Sequence, residues 1–173
     1  MNLSKKIALS VAVGFFSNFA FAQTLQDGVD NADSHKYAKA KEVFTQMIAK
    51  SPTSENYFYL GNAYLTQFEP NFELAQENFN KGLAADKKSN LNKIGLASAK
   101  LGKGDKSGLA EIQNIVKDAR DKDAEVLYRA AEALTLFGGA ANADIAVDYL
   151  NRAVEKSQKG GTPAYYYYTL GDA

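Results

Sequence analysis

Hydrophobic residues from position 23 onward recur at spacings of three and four, within segments of 10 to 20 residues. This spacing predicts amphipathic α-helices, because it places the apolar side chains on one face of a helix. Turn-forming residues separate the segments at regular places, for example at Ser51-Pro52, Pro70-Asn71 and Gly138-Gly139. The pattern therefore predicts about four helix pairs joined by short turns, followed by the start of another helix.

The predicted helix pairs share a repeated placement of small and large side chains. A small residue lies midway along each first helix, at intervals of 33, 34, 36 and 40 residues, and another lies early in each second helix, four positions before a large apolar one. Small residues allow two helices to approach closely, and the large residue fills the groove between them. One such hairpin cannot bury its apolar face alone, so neighbouring hairpins must stack. The first-helix residues are Gly28, Gly61, Gly95, Ala131 and Gly171, and the second-helix pairs are Ala40 with Phe44, Ala75 with Phe79, Gly108 with Ile112 and Ala146 with Leu150.

This arrangement resembles the tetratricopeptide repeat, whose signature has an aromatic residue, Leu-Gly and Tyr in the first helix and Ala and Phe in the second. The best copy comprises Tyr57, Leu60-Gly61, Tyr64, Ala75 and Phe79, and the first four are expected in the core. The resemblance implies an all-α, right-handed superhelical array of antiparallel helix hairpins. It implies repeats at about 23–52, 53–88, 89–123 and 124–161, and a partial fifth at 162–173.

In that family, matching positions on successive first helices line a concave groove that takes extended peptides or partner helices. Some members clamp a carboxyl terminus with Lys, Asn and Arg side chains, but Leu25, Val29 and Ser89 stand at three of those positions here. The register also assigns Tyr167 to the buried aromatic position in the run of four tyrosines. The residues that it predicts for partner binding are Phe58, Asn62, Asn92, Lys93, Tyr128, Arg129, Glu132, Tyr165 and Tyr168.

Residues 1–22 have the pattern of an export signal. Lys5 and Lys6 precede an apolar stretch, and Ala20-Phe21-Ala22 forms a small-x-small cleavage site. The stretch from Ile7 to Ala22 is 16 residues long, shorter than the roughly 20 residues that a membrane-spanning helix needs. The sequence thus predicts export to the periplasm or outer envelope of a bacterium, with no membrane insertion after cleavage.

Composition narrows the classes of function. Hydrophobic residues make up 46% of the chain and charged residues 23%, values typical of a globular protein. Without cysteine and with a single histidine, His35, the chain lacks the usual ligands of zinc and the usual catalytic triads. Removal of residues 1–22 leaves a formal charge of −2, which does not attract nucleic acid. We therefore expect no enzyme activity, no cofactor, no metal site and no nucleic-acid partner.

Four places in the chain could be taken for ligand-binding or catalytic sites, but none has the pattern that such a site requires. The stretch from Gly102 to Ser107 resembles a phosphate-binding loop but lacks its required glycines, so it is predicted to be a turn. The surroundings of His35 offer no second ligand, and Asp121 with Asp123 falls in a predicted turn. The remaining cluster lacks the ligand spacing of a calcium loop and suits the start of a helix instead; it comprises Asp27, Asp30, Asn31 and Asp33.

These features favour a scaffold that binds a segment of a partner protein in its groove. Two alternatives remain open. A structural subunit would self-associate through the uncapped helix 164–173, because a stacked array needs a polar face at its end. An accessory array would belong to a longer protein, because the repeat pattern stops before its second helix.

Overall fold

The structure is a computed structural model that describes residues 24–119 and 123–173, so the predicted export signal and Asp121 lie outside the described residues. Throughout those two ranges the chain is all-α, with consecutive helices packed against each other, as predicted. Four hairpins are formed by α1 (Leu25–Asp33) with α2 (Tyr37–Lys50), α3 (Ser54–Thr66) with α4 (Phe72–Ala85), α5 (Asn90–Gly102) with α6 (Ser107–Asp118), and α7 (Ala124–Phe137) with α8 (Ala143–Ser157). Helix α9 (Ala164–Asp172) follows, and single 3-10 turns lie at Ala140–Asn142 and Gln158–Gly160.

Most first helices begin at a side chain that caps them. Thr53 accepts a hydrogen bond from the backbone N–H of Asn56 at the start of α3, and Asp123 accepts from Val126 at the start of α7. Such caps satisfy N–H groups that have no partner within the helix. They allow the connections between hairpins to be short.

Small residues permit the close helix packing that the repeat predicts. A Cβ atom on Gly61 would lie 2.6 Å from Cε1 of Phe79, so only glycine fits against that ring. Gly28 faces Phe44 in the same way, and Gly95 faces Phe79 from the other side. The eight predicted second-helix residues are all buried. Gly171 differs, because no atom lies within 4 Å of the position its Cβ would take.

Two aromatic residues of the best repeat copy are less buried than predicted. Leu60 and Gly61 lie in the core, but Tyr57 and Tyr64 are only partly buried. The Nζ atom of Lys41 lies over the Tyr64 ring, 4.8 Å from its centroid. These tyrosines therefore border the core rather than fill it.

Helix α5 lies between two clusters of buried side chains. Ala99 belongs to the cluster formed with α1 to α4, whereas Ile94 and Ala97 belong to the cluster formed with α6 to α9. The predicted turn after α5 is confirmed, since α5 ends at Gly102 and α6 begins at Ser107. In the described ranges, no helix is long and apolar enough to cross a membrane.

Candidate functional site

First helices from four repeats surround an inner cavity of about 270 Å³. A side channel of about 360 Å³ lies between α1 and α9 and shares Asp33, Tyr165 and Tyr168 with it. The walls of the inner cavity come from α1, the α1–α2 turn, α2, α3, α7 and α9. The wall residues include Val29, Asp33, His35, Tyr37, Tyr59, Asn62, Tyr128, Arg129, Glu132, Tyr165, Tyr168 and Thr169.

Arg129 forms the floor of the inner cavity. Its side chain is 5% exposed, its Nε donates to Oε1 of Glu125 at 2.8 Å, and its Nη1 donates to both carboxylate oxygens of Glu132 at 3.1 Å. The three residues lie at helical spacings of four and three, which place them on one face of α7. Burial alone would lower the pKa of Arg129, but the two carboxylates outweigh it and raise that pKa well above its usual value.

Four aromatic rings surround the Arg129 guanidinium. Its central carbon lies 4.7 Å from the centroid of Tyr128 and 5.6 to 5.7 Å from those of Phe58, Tyr59 and Tyr165. Cations within about 6 Å of an aromatic face are attracted by the ring quadrupole. Arg129 thus ties α7 to α3 and to α9.

The Glu125 carboxylate accepts hydrogen bonds from three tyrosine hydroxyls. Tyr166 donates to Oε2 at 3.0 Å, and Tyr165 and Tyr59 donate to its two oxygens at 3.4 Å. Burial, followed by the charge of Glu125, raises the pKa of all three hydroxyls. These tyrosines therefore remain protonated donors at neutral pH and hold the carboxylate in place.

Asp33 supplies a carboxylate at the junction of the inner cavity and the side channel. Asp33 is an exposed residue, yet partial loss of solvation raises its pKa to about 6. Arg129 lowers that pKa, while the negative charges of Glu132, Asp30 and Glu125 add to the rise. At neutral pH an acid with this pKa is negatively charged. The raised pKa indicates that nearby positive charges and hydrogen bonds do not fully compensate that negative charge.

Five of the predicted groove residues line the inner cavity with accessible or network-forming side chains: Asn62, Arg129, Glu132, Tyr165 and Tyr168. A sixth, Tyr128, lines it but is 2% exposed, because its ring stacks on Tyr166. Since its ring is buried between helices, Tyr128 is part of the wall rather than an accessible contact.

The predictions for Phe58 and Asn92 are wrong, because both side chains are fully buried. The Phe58 ring packs against Phe79, with 5.9 Å between centroids. The Asn92 amide donates to the backbone oxygen and the hydroxyl of Ser54 at 3.0 Å. Both residues point at neighbouring helices instead of the groove.

Lys93 does not line the inner cavity with the other predicted residues but lies on a different surface, between α4, α5 and α6. Helices α3 and α7 both pack on α5, and their side chains contact each other at the inner cavity, which no residue of α5 lines. Ser98, where the repeat signature expects an aromatic side chain, is small and donates its hydroxyl to the Ile94 carbonyl at 2.7 Å. A small side chain there leaves room for α7, since Ser98, Arg129 and Ala133 border one narrow gap.

Tyr166, and not Tyr167, takes the buried aromatic position on α9. Tyr166 is 2% exposed and Tyr167 is 53% exposed. The Tyr166 ring lies parallel to that of Tyr128, with 4.4 Å between centroids. The prediction for the buried position was wrong by one residue, which corresponds to a turn of about 100° around the helix. Tyr165 and Tyr168 line the inner cavity, as predicted, and Tyr167 does not.

The sequence did not predict Asp33, His35, Tyr37, Tyr59 or Thr169 as cavity residues. The acidic cluster was assigned to the start of a helix, and only Asp27 does this: its Oδ2 accepts from the Thr24 N–H at 2.7 Å. One sequence feature could have indicated that Asp33 lies at the cavity. Val29 and Asp33 are four positions apart, and this spacing places both on one face of α1.

Within residues 24–119 and 123–173, no group of three or more metal-ligating side chains could hold a metal ion. Neither a protein-family model nor a curated protein matches this chain.

Proposed function

We propose that this chain is a non-enzymatic adaptor that captures a segment of a partner protein in its inner cavity. One observation carries the proposal: α1, α3, α7 and α9 enclose a cavity whose floor is held by ion pairs, while Tyr168 at its edge is 74% exposed. Exposed tyrosines beside a cavity are favoured anchors for a partner, because they bury a large area with few rotatable bonds.

The fixed floor supports binding without large rearrangement. Arg129 and Glu125 are held by several partners each, so a ligand does not need to order them. A preformed site loses less conformational entropy on binding than a flexible one.

The arrangement of the two openings suits an extended peptide segment. The inner cavity has a volume of about 270 Å³ and opens into the side channel of about 360 Å³. The side channel continues from it between α1 and α9. An extended segment can place one side chain in the inner cavity while its backbone follows the side channel.

The proposed location is the periplasm or outer envelope of a bacterium. This part of the proposal rests on residues 1–22, whose basic, apolar and small-residue regions are typical of a cleaved signal.

Site-specific photo-crosslinking tests the proposed function. A photoreactive phenylalanine analogue replaces Tyr168 or, as a control, Phe68, which is 96% exposed and does not line the inner cavity. We expect position 168 to form adducts with one recurring segment of a partner protein and position 68 to form none. Equal adducts from both positions would contradict capture in the cavity.

A second candidate function is self-association through α9. Tyr167 is 53% exposed and does not line the inner cavity or the side channel, so it offers an aromatic surface on the outside of the array. Sedimentation equilibrium separates the two functions. A concentration-dependent oligomer that Tyr167→Ala removes would support self-association, whereas a monomer at all concentrations would exclude it.

A further inference from the structure

We propose that the captured segment carries a lysine or arginine side chain, which the protein holds between the acidic residues of α1 and the tyrosines of α9. This inference rests on the proposed function, because it names the chemistry of the partner that enters the same cavity.

The charges that border the two openings are unbalanced. Asp33 and Glu132 line the inner cavity, and Asp30 and Asp33 line the side channel. Among the described residues that line either opening, Arg129 is the only lysine or arginine, and it is already paired with Glu125 and Glu132. Charge complementarity therefore favours a cationic occupant and disfavours a carboxylate or phosphate.

Tyrosine rings form the wall opposite the two aspartates. Tyr165 is partly buried and Tyr168 is largely exposed, and both border the inner cavity and the side channel. The same cavity already places one cation among rings, since the Arg129 guanidinium lies within 6 Å of four of them. Tyr168 adds a ring that a second cation can reach from solvent.

The two openings share a border, and this favours a peptide with a basic side chain as the occupant instead of a free cation. Asp33, Tyr165 and Tyr168 belong to both openings, so the two form one continuous groove. A free organic cation would fill only the end of it. A peptide places its charged group between α1 and α9 and buries its flanking residues along the rest.

Selection from displayed random 12-residue peptides tests this inference on the chain beginning at Gln23. The baits are the wild type, the Asp30→Asn/Asp33→Asn variant, and a Glu69→Gln/Glu155→Gln control that removes the same charge from exposed positions outside the groove. We expect lysine or arginine to be enriched at least threefold on the wild type and on the control, and not on the aspartate variant. Circular dichroism verifies that all three are helical.

The best peptide is then synthesised with its basic residue and with norleucine in that place. We expect the norleucine peptide to bind the wild type at least tenfold more weakly, and the two peptides to bind the aspartate variant equally. Peptides without a basic residue, or a basic preference that survives in the aspartate variant, would overturn this inference and leave the proposed function standing.

Two further outcomes are decisive. Spermidine or a blocked lysine that alone binds as tightly as the peptide would show that the occupant is a small cation, and the inference would fail. If the folded wild type enriched no peptide at all, both the proposed function and this inference would be contradicted.

Discussion

The side-chain amide of Asn62 donates to the Glu132 carboxylate at 3.4 Å, although 70 positions separate the two residues. The contact joins α3 to α7, the first helices of the second and fourth hairpins. It lies beside Arg129, whose guanidinium packs against the rings of Phe58 and Tyr59 on α3. These contacts join α3 and α7 across the inner cavity, which both helices line.

Arg129→Ala is expected to destabilise the fold by about 3–5 kcal/mol, because it leaves the carboxylates of Glu125 and Glu132 without their buried partner. The free energy of unfolding in urea at pH 7.5 measures this. Lys81→Ala is the control, since Lys81 pairs with Glu77 at 2.6 Å on the surface, with both side chains about half exposed. A cost of at most about 1 kcal/mol is expected there, and equal costs for the two variants would contradict a structural role for the Arg129 network.

Gly61→Ala is expected to destabilise the protein by about 1–3 kcal/mol, the usual cost of overpacking a core. The added methyl would lie 2.6 Å from Cε1 of Phe79, which has no space to move because its ring is fully buried. Gly160→Ala is the matched control, because no atom lies within 4 Å of its new methyl. Thermal unfolding of both variants distinguishes them, and an unchanged melting temperature for Gly61→Ala would disprove the close packing of α3 on α4.

Tyr166→Ala is expected to cost about 3 kcal/mol, as other deletions of large buried side chains do. The change removes the stacking on Tyr128 and the hydrogen bond to Glu125. Tyr167→Ala removes a ring that is 53% exposed and is expected to change stability by less than about 0.5 kcal/mol. The free energy of unfolding in denaturant is measured for both variants. A larger loss for Tyr167→Ala than for Tyr166→Ala would show that Tyr167 is the buried residue and would contradict the structure.

The sequence predicted the fold well because the packing contacts repeat with the helix pairs. The pairing of Gly61 with Phe79 follows from spacing alone, and so do the buried Ala75 and Ile112. Both partners of such a contact lie within one hairpin or in adjacent hairpins, so a local pattern contains them. Helix boundaries followed from Pro, Gly and capping residues for the same reason.

The cavity was predicted less completely, because it depends on contacts between distant helices. Asn62 meets Glu132 because α3 and α7 both pack on α5 and their side chains reach each other, and no local spacing specifies that contact. On α9 the sequence placed Tyr165 and Tyr168 correctly but assigned the buried position to Tyr167 instead of its neighbour Tyr166. Asp33 was missed because its whole acidic cluster was assigned to the start of a helix, whereas Asp33 is the last residue of α1. Only the folded array places it beside Glu132 and Arg129.

Asp33→Asn is expected to stabilise the protein at pH 7.5 and to have little effect at pH 4. The folded-state pKa of about 6 lies above the ordinary value of 3.8, so the folded protein holds its proton more tightly than the unfolded chain does. Stability therefore falls as the pH rises from about 4 to about 6, and asparagine removes this loss. The groups that face Asp33 are Arg129, Glu132 and Glu125 on α7 and Asp30 on α1.

Asp105→Asn is a control of opposite sign for the same titration. The backbone N–H of Ser107 donates to the Asp105 carboxylate at 2.9 Å and lowers its pKa. Its replacement should destabilise the protein at pH 7.5, with the difference fading as the pH falls below about 4. Urea unfolding at several pH values measures both variants, and a stabilising effect of Asp33→Asn that is unchanged at pH 4 would contradict the raised pKa.

The most direct test of capture in the inner cavity compares Tyr168→Ala with Tyr167→Ala. The two side chains are adjacent on α9 and both are more than half exposed, but only Tyr168 borders the inner cavity. The measurement is the dissociation constant of a fluorescent peptide selected on the wild type. We predict that Tyr168→Ala weakens binding at least tenfold while Tyr167→Ala changes it less than twofold. Equal effects of the two substitutions, or no effect of either, would contradict binding in the cavity.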